Sequence, residues 1–180
     1  MNRMMVAVGG MAAWEVEMSA GDVEAAERVV RESCEQLEQL GDTGYRATAV
    51  ALLAEALYAL DRLDEAARET ELAEELASPD DRLSHGLWRQ VRAKLTARAG
   101  RHAEAEAIAR EAVALFAATD MVDDQAHAHA DLAEVLSQAG SPGEAAAELE
   151  RAVKLFESKG NIVGAERARA ALVEIPATRR

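Results

Sequence analysis

A chain of 180 residues with a formal net charge of −13 is long enough for one domain with a sizeable core, and its acidity disfavours nucleic acid and anionic membranes, which need a basic surface. Almost half of it is apolar, alanine dominates that half, only six residues are aromatic and no period-two runs occur, so the composition points to an all-α fold before any pattern is read. One cysteine, Cys34, excludes an internal disulfide and a multi-thiolate metal site, and no apolar run approaches the ~20 residues that span a bilayer; with the acidic charge, this implies a reducing cytoplasm.

The first segment, Met1 to Ala13, has Arg3 followed by Met, Val, Ala and Gly, a loose mimic of a short signal peptide. It runs without a break through Trp14 and Met18, so a helix over 8–20 explains it better. Gly21-Asp22 makes a turn into a helix over 23–40, which Gly41 ends and Asp42 follows as cap of a helix over 43–60. Asp61-Arg62 leads to 63–77, and Pro79-Asp80-Asp81 breaks that helix from the next, 81–99. Gly100-Arg101 opens 102–118, and 121–139 follows. Ser141-Pro142-Gly143-Glu144 carries a capping serine, proline at the first helical position and a glutamate to complete a capping box for 142–159. Gly160 and Asn161 separate that helix from a ninth, over 161–174.

An internal repeat organises these elements. The turn starts Gly21, Asp61, Gly100 and Gly140 are 40, 39 and 40 residues apart. About five residues on come Ala26, Ala66, Ala105 and Ala145, and seven further come Ser33, Ala73, Ala112 and Ala152. The last two copies are visibly alike, Glu111 to Phe116 against Arg151 to Phe156. Each repeat reads as a hairpin of helices A and B. Small residues inside helix B let the two backbones close together, and leucines on helix A fill the remaining space: Leu53, Leu57 and Leu60, then Leu132 and Leu136. A lone hairpin cannot bury its apolar face, so neighbours must stack.

The Gly-Asp or Gly-Arg turn, the alanine after it and the small residue seven further on resemble the tetratricopeptide (TPR) signature over residues 8–174. The common aromatic positions are mostly missing and the period is near 40, against ~34 in the common repeat. The resemblance implies an all-α, right-handed superhelical solenoid of about four antiparallel hairpins (8–40, 43–78, 81–118, 121–159), with 161–174 as a capping helix, in a single domain over 1–180. It further implies a non-catalytic scaffold that binds a peptide or protein through its concave face, lined by the A helices. His85 to Ala93, Ala130 to Leu136 and Lys159-Gly160-Asn161 are similar to a narrower group, the C-terminal helical regions of large bacterial signalling proteins that carry an adenylate/guanylate cyclase or AAA-type ATPase domain upstream. That likeness implies, as an alternative, a stand-alone regulatory or sensor module. A helical sensor with a small-molecule pocket is a third possibility.

No catalytic motif competes with these readings. There is no P-loop, Gly9-Gly10 has no following lysine, and there is no G-x-S-x-G elbow. Glutamates around Cys34 work against a thiolate, which makes it a core residue. Asp123, His127 and Asp131 fall on one helical face and could hold a divalent metal, but His129 points about 200° away from His127. The simpler reading is a solvated face, so neither a metal nor a cofactor is expected.

One charge feature is uneven. Between Arg82 and Arg101 lie six basic residues and no acidic one. The apolar stripe there is Leu87, Trp88, Val91 and Leu95. Arg89, Arg92, Lys94 and Arg98, with Tyr58 on the preceding A helix, form the candidate partner-binding set, suited to an acidic segment. Against this stands neutralisation of the neighbouring A helix, which carries Asp120, Asp123, Asp124, Asp131 and Glu134. The Met-rich start, Met4, Met5, Val6, Val8 and Met11, leaves an apolar end through which a weak homodimer is expected.

Overall fold

The computed structural model describes residues 3–175. Among these residues the chain is all helical, with nine helices: α1 (Arg3–Ala20), α2 (Val23–Leu40), α3 (Thr43–Ala59), α4 (Leu63–Leu76), α5 (Arg82–Arg98), α6 (His102–Ala117), α7 (Val122–Gln138), α8 (Pro142–Lys159) and α9 (Ile162–Glu174). Eight of the nine match the expected spans to within a residue or so at either end. The exception is α1, which begins five residues earlier than the expected 8. Nothing in Met4 to Gly10 stops a helix, and Gly9 and Gly10 are carried inside it.

The repeat is written into the backbone. Gly21, Asp61, Gly100 and Gly140 all adopt positive φ, between 59° and 85°. At each, the turn N–H groups fold back onto carbonyls of the preceding helix, as Asp61 N does to Tyr58 O (3.0 Å) and Arg62 N to Leu57 O (2.9 Å). Asp61 alone does this with a β-carbon, a conformation that glycine adopts without strain. Two-residue turns of this kind reverse the chain and set each helix against the one before it.

Caps form where short polar residues precede a helix. Asp22 accepts from Ala25 N, Asp42 from Tyr45 N (both 2.9 Å) and Asn161 from Gly164 N (2.8 Å). The capping box expected at Ser141 does not form, and that expectation is corrected. Ser141 sits at φ −109°, ψ 61° with no side-chain bond to the helix, while Glu144 takes the Arg110 guanidinium at 3.1 Å. A charged partner on another helix outcompetes a neutral backbone amide.

The described residues group into two compact units, 1–91 and 92–180, with the division inside α5. In the first, α1 packs on α2, α2 on α3 and α3 on α4, and α1 also touches α3. Helix α3 is its centre: from Ala47 to Leu57 only Thr48 and Glu55 are not buried. Helices α1 and α2 come close at Gly10, where an added β-carbon would lie 1.9 Å from Ser33 Oγ. Thr48 on α3 and Ser84 on α5 are joined through their hydroxyls at 2.9 Å.

In the second unit α6, α7, α8 and α9 pack in sequence. Its core runs from Ala93 and Ala97 through Ala105, Ala109, Leu132, Leu136, Ala145, Leu149 and Phe156 to Ala165 and Ala168. Helix α9 closes on Phe156 through Gly164, where a β-carbon would come within 2.6 Å of the ring. In both units the eight small positions of the repeat are buried, seven alanines and Ser33. Of the named leucines, Leu53, Leu57, Leu132 and Leu136 are buried, and Leu60 is half-buried at the end of α3.

Candidate partner-binding helix

Helix α5 carries the uneven charge. Asp81 caps it, accepting from the Ser84 backbone N–H on Oδ1 at 3.0 Å. One turn on, Trp88 is buried and its Nε1 donates to His85 Nδ1 at 3.2 Å. The Arg89 guanidinium lies 4.1 Å from the Trp88 ring centroid and donates to the His85 carbonyl at 3.0 Å. It also sits 3.2 Å from His85 Nδ1. Two donors converging on Nδ1 make it an acceptor and put the ring proton on Nε2. Arg89 is thereby held over an aromatic face and is half-buried.

The other candidates differ from one another. Arg92 is half-buried and Arg98 is exposed in the last turn. Lys94 is nearly inaccessible, at 2% exposure, and its Nζ is 3.1 Å from Asp131 Oδ1 on α7. Neutralisation of the acidic neighbour thus holds at this pair. Arg101, just beyond the helix, is held by both carboxylate oxygens of Glu104 at 2.9 Å. Tyr58 is half-buried near the end of α3, in the first unit with Arg89, whereas Arg92, Lys94 and Arg98 belong to the second. Gln90 is buried on the same helix and its Nε2 has no hydrogen-bond partner.

The acidic column of α7 does not converge on a metal position. Asp123 accepts from Asn161 Nδ2 at 3.1 Å, Asp131 faces Lys94, and His127 lies edge-on to Phe156 with centroids 4.9 Å apart. Among the described residues, no group of three or more His, Cys, Asp or Glu side chains could hold a metal ion.

Sequence reasoning missed Glu148. It is buried, and it bridges His129 Nδ1 (2.6 Å) and the Arg151 guanidinium (2.5 Å) on its two oxygens. The signal was present, because Ala145, Glu148, Leu149, Ala152 and Phe156 form one inward stripe of α8 with a carboxylate in it. A buried charge persists only when paired and hydrogen-bonded, and both conditions are met here.

Cys34 is a core residue. Burial is the main force pushing its thiol up to about 12, Glu69 adds to it, and Arg46 and Arg31 pull it back. Glu69 itself is raised by desolvation against the pull of Arg31, Arg68 and Arg46. Between α2 and α4, Glu27 joins Arg31 and Arg62, and Arg62 grips Glu65 with two nitrogens. An open hollow of about 500 Å³ at the α2–α3 turn is lined by Asp42, Tyr45, Thr48 and Asp81 among others. Both carboxylates there are occupied as helix caps. Among the described residues no helix is long and apolar enough to cross a membrane.

No protein-family model matches the chain, and no curated protein matches it. The likeness to TPR repeats therefore rests on the turn and alanine register of this sequence.

Proposed function

We propose that the chain is a non-catalytic protein-interaction module, a TPR-like stack of four helical hairpins ending in α9, and that α5 contributes to holding an acidic peptide or protein segment. The observation that carries this reading is a twenty-residue stretch with six cations and no acid in a chain of net charge −13. Lys94 and Arg101 are matched by Asp131 and Glu104, and the arginines of the stretch make it less repellent to anions than the acidic remainder of the chain. In the TPR arrays that the repeat resembles, the first helix of each hairpin lines the concave face, and α5 is such a helix. Its arginines suit carboxylates because a planar fork binds them bidentately. Arg98 is the leading contact, Arg89 and Arg92 support it, and Lys94 serves the fold through Asp131. The buried single thiol and acidic surface accord with a cytoplasmic setting.

The test is fluorescence anisotropy with labelled Asp/Glu-rich peptides and neutral peptides of the same length. The expected result is salt-sensitive binding of the acidic set, weakened at least tenfold, about 1.4 kcal/mol, by Arg98→Glu. Equal affinity for acidic and neutral peptides, or no effect of Arg98→Glu, would refute the assignment.

A further inference from the structure

We infer that the exposed face of α1 takes a helical hairpin of another protein, one of the same repeat kind with basic residues on its second helix. Counted back from the turn starts Gly21, Asp61, Gly100 and Gly140, Gly9 corresponds to Ala49, Trp88 and Ala128. Those three are buried, whereas Gly9 is exposed. Ala12 is exposed, while its counterparts Leu52 and Val91 are buried and Asp131 is half-buried. Val16 is 65% exposed, while Ala56 and Val135 are fully buried and Leu95 is half-buried. One face of the first helix of each hairpin is therefore covered in the three later copies and open in the first.

The chain itself shows what covers that face. Besides its own second helix α4, α3 packs on α2 and touches α1, which together form the preceding hairpin. The side toward a helix's own partner is a different one. Gly10 lies against Val29 and Ser33 on α2, and its counterpart His129 pairs with Glu148, the counterpart of Val29. Met5 continues the open stripe and has Ser84 as its counterpart in α5. Ser84 is fully buried, and its hydroxyl is bonded to that of Thr48 on α3, the first helix of the preceding hairpin, at 2.9 Å. In α3 the same position is Tyr45, exposed beside the α2–α3 turn. The surface by which one hairpin receives the one before it thus continues onto α1, where it is open among the described residues.

The occupant comes from a different chain. In a second copy, the far side of the last complete hairpin, α7 and α8, is already taken by α9, with Gly164 seated on Phe156. Two chains that each carry −13 also repel one another. Glu15 is exposed and Glu17 half-buried on either side of Val16. The partner therefore presents a seam of small apolar residues, as α2 does to its neighbours with Ala25, Ala26 and Ser33, and lysine or arginine at the flank that meets these two carboxylates.

This inference rests on the stacking of hairpins and not on the acidic-segment reading of α5, and its variants leave α5 untouched, so the two fail separately. The probe is a synthetic hairpin with the sequence of residues 3–40 in which Glu24, Glu32 and Glu35, exposed on the second helix, are replaced by lysine. A scrambled peptide of the same composition is the control. Binding to the full chain is read by fluorescence anisotropy, and the bound region by amide hydrogen exchange. The hairpin should bind at least tenfold more tightly than the scrambled peptide and slow exchange within α1. The neutral double variant Ala12→Gln, Val16→Gln should weaken it at least tenfold with an unchanged melting midpoint, because both side chains are exposed and the charge is the same. Equal binding of the two peptides would mean charge attraction alone and overturns the inference, as does binding that the double variant leaves unchanged. Joining the same hairpin to the N-terminus of the chain through a flexible linker raises its effective concentration, which removes the dependence on its stability as a free peptide. The joined protein should melt at a higher temperature and protect α1, and no change in either overturns the inference as well.

Discussion

Lys94 offers the sharpest test of how this fold handles charge. The ammonium is 2% exposed and its partner Asp131 is 22% exposed, with 3.1 Å between them. Removing either partner takes a close opposite charge away from the other, but not with equal cost. In Lys94→Met the hydrocarbon stem is kept and Asp131 can turn toward water, so the loss should be about 1–2 kcal/mol. In Asp131→Asn the cation stays buried beside a neutral amide. That loss should be about 3–4 kcal/mol, near the range for a buried pair broken from one side. The double variant should lie within about 2 kcal/mol of the wild type, because neither charge of the pair remains, and the cycle should give a coupling of about 3 kcal/mol. Urea unfolding of the four proteins, followed by helical circular dichroism, supplies the data. The reasoning is refuted if Lys94→Met is the more damaging single change, or if the two losses simply add. Were Lys94 a ligand contact, Lys94→Met would instead weaken acidic-peptide binding and leave the unfolding midpoint in place.

Three further outcomes follow from packing and burial. Ala105→Leu and Ala145→Leu should each lower stability by about 1–3 kcal/mol through overpacking, read from melting midpoints, since both alanines are fully buried in the core of the second unit. Gly164→Ala should lower it by about 1–2 kcal/mol even though alanine favours a helix, because the new β-carbon would meet the Phe156 ring at 2.6 Å; an unchanged or higher midpoint would show that the ring yields freely. Glu69 is held above its ordinary value of 4.5 by desolvation, so the folded protein keeps a proton that the unfolded chain releases, and stability falls as pH rises from 4.5 through the folded value. Glu69→Gln should therefore be more stable than the wild type at pH about 7 and indistinguishable from it at pH about 4, and a difference of equal size at both would contradict the burial of this carboxylate.

The sequence by itself determined the helices and their register. Gly21, Gly100 and Gly140 announce left-handed turns, Asp22, Asp42 and Asn161 announce caps, and an alanine at a fixed offset in each hairpin announces where backbones close. These signals are local: each depends on the conformation a residue can adopt or on contacts within a few positions. Their agreement over four copies fixed boundaries that a single copy would leave loose. What the sequence could not decide was which long-range partner each polar group finds. Lys94 reads as a flank of a basic helix, yet its flexible stem reaches into the interior and ends on Asp131, 37 residues away. Glu144 reads as half of a capping box, but Arg110 of another helix offers a charged partner. Glu148 sits on an inward stripe, and only the position of α7 supplies the His129 that makes its burial tolerable. Gly9 and Gly10 are neighbours of one residue type, and only tertiary packing separates the glycine that Ser33 requires from the one that faces outward. Helical propensity and capping act over a turn or two of chain. The pairing of charges and the filling of small-residue contacts depend on which helices are brought together, and that is decided by the folded arrangement.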